Sequence, residues 1–333
     1  MQMIYDLVSK RYLFFAISLA IILPGLISLV LPGGLRPGID FSSGSIMTVR
    51  FDQPVEQGAL RDDFAALGHP EAIVQRSDEN TYIIRTLPLA GAEQQGAEGQ
   101  DASQSAITAS SSERQKVEDG MRSRFGSLTV LSFDQVSPIV AQEIVNNSVL
   151  AVLAACVGIL IYLSWAFRHV RSAWRYGICA VVALLHDTLV VLGVFSILGR
   201  IFGIELDALF ITAILTVIGF SVHDTIVVFD RIRENSVRHV GEPFEDIVNH
   251  SLMQTMGRSL TTSLTVLLTL FTLWLFGGVT IRNFVLALLV GILSGTYSSI
   301  FNASMLLVVW ENGELGRLFG RGRSQPQPAL GRA

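Results

Sequence analysis

Two aspartates sit beside histidines inside apolar sequence: His186-Asp187 in VVALLHDTLVVLG and His223-Asp224 in TVIGFSVHDTIVVFD. A carboxyl near the middle of a membrane-spanning helix costs about 2.5–3.5 kcal/mol on insertion scales, and a mere anchor has no use for one. One such group fits two chemistries: a buried, hydrogen-bonded carboxyl that locks helices together, or a site that carries protons or ions. Two carboxyls, each next to a histidine, favour a proton path. Metal binding by these four residues lacks the usual ligand spacing, and no metal or other cofactor is expected. On a helix, Asp224 shares its face with Val217, Phe220, Ser221, Val227 and Val228, so Ser221 is its natural neighbour. His223 points about 100° away, toward Thr212, Thr216 and Gly219. Arg258 opens the hydroxyl-rich stretch MGRSLTTSLT. It either snorkels to the interface or pairs with Asp224; in the second case, protonating the aspartate would break the pair and create a two-state element.

These residues need helices in a bilayer to position them. Half of the 333 residues are hydrophobic and only 16% are charged, with a mean hydropathy of +0.50. That composition describes a polytopic membrane protein whose environment is the lipid bilayer. A net charge of −4 gives no reason to expect a nucleic-acid partner. The two cysteines, Cys156 and Cys179, both lie in apolar runs and imply no disulfide framework.

Six apolar runs are long enough to span: 12–31, then 146–167, 174–198, 207–229, 259–277 and 281–309. The first is too long for a signal peptide and is followed by no A-x-A-like site, so it reads as an uncleaved helix, kinked at Pro24-Gly25. Arginines cluster after the second, fourth and sixth runs, at Arg168, Arg171 and Arg175, at Arg231, Arg233 and Arg238, and at Arg317, Arg321 and Arg323. Lys10 and Arg11 precede the first. The positive-inside rule then places both termini, including a tail at 311–333, in the cytoplasm and the long 33–140 segment outside. Polar residues 236–256 read as a cytoplasmic interfacial segment or an ordinary loop helix.

Within 33–140 the patterns run strand (44–52), helix (54–68), two strands (71–77 and 81–86), helix (112–126) and strand (128–136). This β-α-β-β-α-β order predicts a small extracytoplasmic α+β domain of ferredoxin-like type between the first two membrane helices. Residues 88–111, rich in Gly, Ala, Gln and Ser, read as a flexible insertion. Gly291-x-x-x-Gly295 in the last run, with Ser298 and Ser299 after it, is a small-residue stripe for helix packing. No P-loop, nucleophile motif or nucleotide fingerprint occurs, so the chain is not expected to be an enzyme.

Several stretches together resemble the SecF family of protein-export membrane proteins, the SecD/SecF group related to resistance-nodulation-division transporters. They are GIDFSSGS (38–45), VSPIVAQEI (136–144), LLHD (184–187), TVIGFSVHDTIVVFDRIREN (216–235), MGRSLTTSLT (256–265) and GILSGTYSSIFNASML (291–306). The resemblance covers nearly the whole chain. It implies a non-enzymatic subunit in a bacterial cell (inner) membrane that acts with SecD on the SecYEG translocon. The implied work is proton-driven late translocation and release of SecA-driven preproteins, with YajC a further implied partner. It places the family's membrane carboxylate on Asp224 and its arginine on Arg258. Together with the electrostatic reading, the proton-coupling set is Asp224, Arg258, Asp187 and His223, and the packing pair is Gly291 and Gly295. Two departures stand out: His223 replaces the family's usual asparagine, and Ser43-Gly44 replaces its Gly-Gly, so a different local turn is expected. Two other readings compete: a proton-driven small-solute exporter half, and a passive scaffold of the translocon with purely structural carboxylates.

Overall fold

The structure is a computed structural model that describes residues 6–89, 101–168 and 173–314. In chain order its helices and strands are α1 (Arg11–Val30), α2 (Ile39–Ser42), β1 (Gly44–Phe51), α3 (Gln57–Ala66), β2 (Ile73–Asp78), β3 (Thr81–Thr86), α4 (Asp101–Phe125), β4 (Leu128–Val136), α5 (Pro138–Ala166), α6 (Ala173–Phe202), α7 (Ala208–Arg238), α8 (Phe244–Phe276), α9 (Val279–Tyr297) and α10 (Ser304–Glu311). A π-helical turn, Ser298–Ala303, joins α9 to α10 without a break. Six helices are long and apolar enough to cross a membrane, the last being α9 and α10 together. The chain divides into two compact units, one formed by residues up to Arg36 and from Leu150 onward, the other by Pro37–Val149.

The Pro37–Val149 unit holds one antiparallel sheet in the order β2-β3-β1-β4. With α3 and α4, this is the ferredoxin-like arrangement. Inward-facing Met47, Val49, Phe51, Val74, Tyr82 and Ile84 pack against Leu60 and Phe64 of α3 and Val117 and Met121 of α4. The flexible-insertion expectation for 88–111 fails over part of its length. Residues 90–100 lie outside the described residues, but α4 begins at Asp101, well before the expected 112. From 101 to 119 the sequence contains no Gly or Pro to stop a helix. The turn before β1 lies at the Ser43-Gly44 departure. Ser43 has φ 61° and ψ 162°, a backbone region ordinarily left to glycine, so serine holds a glycine-like turn. Gly44 follows at φ 140°, and a Cβ there would lie 2.9 Å from the Thr86 carbonyl oxygen.

In the membrane unit α6, α7 and α9–α10 bury half or more of their most apolar windows, whereas α1, α5 and α8 bury less than a fifth. The central trio is therefore α6, α7 and α9–α10. α1 runs through Pro24 as one helix, and Gly25 sits against Gly193 of α6 so closely that a Cβ on Gly25 would lie 2.6 Å from the Gly193 Cα. α7 starts where the Asp207 carboxylate accepts the Phe210 amide at 2.9 Å. α8 follows Pro243 and carries Glu245 and Asp246 in its first turn, which suits the helix dipole. The expected separate interfacial segment is not a separate element. α7 continues to Arg238, and 244–256 is the first part of α8, with Ile247, Val248, Asn249, Ser251 and Leu252 buried. No proline interrupts the chain between Pro243 and Gly277, so the amphipathic segment and the apolar run form one helix.

Candidate functional site

The most densely hydrogen-bonded carboxyl of the membrane unit is Asp187, in the middle of α6 and 1% exposed. Its Oδ2 accepts hydrogen bonds from Ser221 Oγ of α7 and Ser298 Oγ of the π-turn, each at 2.7 Å. Its Oδ1 accepts from Ser294 Oγ of α9 at 2.8 Å and meets His186 Nδ1 at 3.1 Å. A carboxylate has about four acceptor positions, and here all are filled. The serines are themselves held: Ser299 Oγ donates to the Ser221 carbonyl at 2.9 Å and accepts from Thr225 Oγ1 at 2.9 Å. The π-turn brings Ser298 and Ser299 together toward α6 and α7, as π-bulges often do at functional sites.

Asp224 lies on α7 and is 2% exposed. Its surroundings are sparse. Ser263 Oγ of α8 reaches Oδ2 at 3.4 Å, and His223 Nδ1 stands 3.6 Å from Oδ1, beyond hydrogen-bond range. Ser263 in turn accepts from Thr296 Oγ1 of α9 at 2.7 Å. One turn before Ser263, the buried Ser259 hydroxyl has no partner among the described residues. Ser263 and Thr296 line a largely apolar groove of about 360 Å³ with Leu260, Leu264 and Leu293. The two carboxyl shells share α7 and α9, but no residue belongs to both.

The expected site residues are thus not one cluster. Ser221, expected beside Asp224, faces Asp187 instead. Side chains three residues apart on one helix are neighbours but diverge when different partner helices supply their contacts. The His223 side chain is 63% exposed. Arg258 is exposed, and no acidic side chain among the described residues lies within 4.0 Å of it. Of the two readings of Arg258, the ion pair with Asp224 is therefore not formed in this conformation. Asp230 pairs locally with Arg233 at 2.7 Å. Gly291 lies under Val217, where a Cβ would come within 2.2 Å of Cγ2; a Cβ on Gly295 would be 3.0 Å from the Ser221 Cβ and 3.5 Å from Asp187 Oδ2. These glycines let α9 approach α7 closely enough for the serine shell to close.

Sequence reading missed Ser294, Thr225 and Thr296 as members of the polar shells. The signal for Ser294 was its place four residues before Ser298 in the SGTYSS stretch, on the same helix face, with Thr296 between them on another. Among the described residues no three His, Cys, Asp or Glu side chains converge as a metal-ligand set.

These features define a six-helix membrane protein with a ferredoxin-like domain and two separately held intramembrane carboxyls. A family model for the C-terminal part of the protein-export membrane proteins SecD/SecF matches residues 116–313, and one for the SecD/SecF GG motif matches 33–55. The chain is 51% identical over 324 residues to the protein translocase subunit SecF of Thermobaculum terrenum, covering 97% of this chain and 99% of that one. It is 36% identical to the protein translocase subunit SecDF of Bacillus subtilis, covering 93% of this chain and 39% of that one. The crystal structure of Thermus thermophilus SecDF, a translocon-associated membrane protein, superposes with a TM-score of 0.74 at 31% identity. That match covers 92% of this chain and 39% of the other, so the chain spans about two fifths of these fused relatives. The chain belongs to the SecD/SecF family of protein-export membrane proteins.

Proposed function

We propose that the chain is the SecF-type subunit of the Sec export machinery. In this reading it acts with SecD to promote proton-motive-force-dependent late translocation and release of preproteins through SecYEG. The fused SecDF relatives support the partnership with SecD. The arginine-rich short loops support cytoplasmic termini in a bacterial inner membrane, with the Pro37–Val149 unit on the outer side. YajC and SecA-driven preprotein are further partners of the same machinery.

The observation that carries the coupling mechanism is the sparse shell of Asp224. Among the described residues its carboxyl has one hydrogen bond, at 3.4 Å, so it can gain or lose a proton without dismantling a network. Arg258 supplies the second state. Exposed here, it pairs with Asp224 in an alternative conformation, and protonation of Asp224 releases it. His223, between Asp224 and the exposed surface, provides the access route, and the Asp187 cluster belongs to the same proton path. Each proton falling through 100 mV supplies about 2.3 kcal/mol, enough to bias a two-state equilibrium nearly 50-fold.

The test is a pulse-chase of precursor processing in cells depleted of the chain. Wild type is expected to restore processing, and Asp224→Asn at equal membrane levels is expected not to. Restoration by Asp224→Asn would leave the passive-scaffold reading standing. No processing defect on depletion would remove the export reading itself.

A further inference from the structure

The polar shell of Asp187 does more than satisfy a buried acid, because one of its members has an unused atom. His186 is 9% exposed, and its Nε2 is buried with no hydrogen-bond partner among the described residues. Its Nδ1 is 3.1 Å from Asp187 Oδ1. The carboxylate can only accept, and its other positions already receive three serine hydroxyls. Nδ1 must therefore carry the hydrogen in that contact. The open nitrogen, Nε2, then presents a lone pair in the membrane interior.

We propose that His186 Nε2 is a second proton-binding site of this chain, separate from Asp224, with Asp187 as the positioning residue that orients the ring. A proton from the aqueous phase binds the Nε2 lone pair. No bond breaks, and the proton leaves by the same nitrogen. Before uptake the dyad is a neutral imidazole beside a carboxylate, a net buried charge of −1. After uptake it is an imidazolium–carboxylate pair with net charge zero. In a low-dielectric interior the neutral pair avoids the penalty of a lone buried charge. Protonating Asp187 instead would require one of the four donors to turn away and accept the new hydroxyl hydrogen. The arrangement thus directs the proton to the histidine, and the inference deepens the proposed function by adding a site to the proton path on which it rests.

Among the described residues, the surroundings contain no other group suited to take that proton. The Tyr297 ring of α9 faces the imidazole with centroids 6.4 Å apart, but its hydroxyl donates to the Phe14 carbonyl of α1 at 2.8 Å. From the π-turn, Asn302 is engaged by Ser18 of α1 at 2.9 Å. On α7, Asp224 turns to Ser263 of α8 and His223 is exposed. The charges at the α6 ends are committed elsewhere: Arg175 pairs with Glu311 of α10, and Arg200 donates to Ser28 of α1 and to the Leu31 carbonyl just after it. Arg11 of α1 pairs with Glu245 and Glu314.

The test uses the full chain with its partner subunit in nanodiscs, labelled with ¹⁵N-histidine, and follows the imidazole nitrogens through an acid titration. The chain has six histidines, so comparison with His186→Asn assigns the signal. Asparagine keeps an N–H donor near the Nδ1 position and lacks Nε2. The expected result is one buried imidazole that starts as the Nδ1–H tautomer, becomes imidazolium on acidification, and is missing in His186→Asn. A His186 imidazole that stays neutral while the exposed histidines titrate overturns the proposal, as does an Nε2–H tautomer at the start. If His186→Asn fails to assemble, His186→Gln provides the assignment.

A second measurement separates this inference from the proposed function. In inverted vesicles, gradient-driven completion of translocation is expected to change its pH profile in His186→Asn while retaining a response, and to vanish at all pH values in Asp224→Asn. An unchanged profile in His186→Asn sinks the second site and leaves Asp224 coupling intact. A normal response in Asp224→Asn sinks the coupling scheme, while the imidazole titration still decides whether His186 binds a proton.

Discussion

Asp187 and Asp224 are both buried aspartates next to histidines on neighbouring helices, yet their surroundings are opposite. Asp187 takes three serine hydroxyls at 2.7–2.8 Å and its own histidine at 3.1 Å. Asp224 has a single hydroxyl at 3.4 Å, and its histidine is too distant to bond. The same residue type in nearly the same sequence setting is therefore fastened in one case and loosely held in the other. A fully satisfied network makes a rigid joint, here between α6, α7 and α9; a sparse one leaves a group free to change state. Of the two carboxyls, Asp187 fastens the helices and orients His186, while Asp224 is the one left free to change its own charge state.

Removing each acceptor should give the largest contrast. Asp187→Ala leaves the Ser221, Ser294 and Ser298 hydroxyls without their acceptor and is expected to lower stability by about 3–5 kcal/mol, the scale of a broken buried network. Asp224→Asn is expected to stay within about 1 kcal/mol of wild type. Thermal unfolding of the purified complex checks both, and equal losses would erase the distinction.

A smaller effect is expected from closing the space that lets the Asp187 shell form. Gly291→Ala puts a Cβ within 2.2 Å of Val217 Cγ2, forcing α9 and α7 apart at a cost of about 1–3 kcal/mol. The same unfolding measurement should show this loss, and retained stability would mean that the helices repack without it.

A third buried carboxyl, outside the membrane unit, sharpens the comparison further. Asp63 of α3 is 1% exposed; Arg124 Nη1 approaches its Oδ1 at 2.7 Å as an ion pair, but neither carboxylate oxygen accepts a hydrogen bond among the described residues. Burial pushes this carboxyl above its ordinary value of 3.8, with Arg124 pulling the other way. The folded state therefore holds the proton more firmly than the unfolded chain. Stability from this group is present below the ordinary value and is lost as pH rises through the raised one. Asp63→Asn should thus protect α3 and the strands at pH 7, with the gain shrinking as pH falls below the ordinary value of 3.8. Amide exchange in the full chain at pH 7 and below that value reads this directly, and an equal gain at both would contradict it.

Much of this was legible in the sequence because it rests on local patterns. Long apolar runs give the spanning helices, and alternation between strand and helix periods gives the β-α-β-β-α-β unit. Asp187, Asp224 and His223 stand out because charged and titratable groups are rare in such runs. What was hidden depends on how helices meet. Ser221 sits three residues from Asp224, yet serves Asp187 because α6 and α9 converge on it. Ser294 and Ser298 lie four residues apart, and Ser298 opens a π-turn that no periodic pattern announces. Charge alone left Arg258 either at the interface or paired with Asp224, and in this conformation it lies exposed. Residues 244–256 looked too polar to belong to a span, but their apolar positions continue one face of α8 into the bundle.

The division of labour is tested most directly in inverted membrane vesicles that hold the chain with its partners. A preprotein is halted part-way by limiting ATP, a proton gradient is imposed, and completion is timed for wild type and Asp224→Asn at equal complex levels. The expected result is acceleration in wild type only, with the variant complex intact. Equal acceleration in both would mean that Asp224 is a structural carboxyl and that the gradient acts elsewhere.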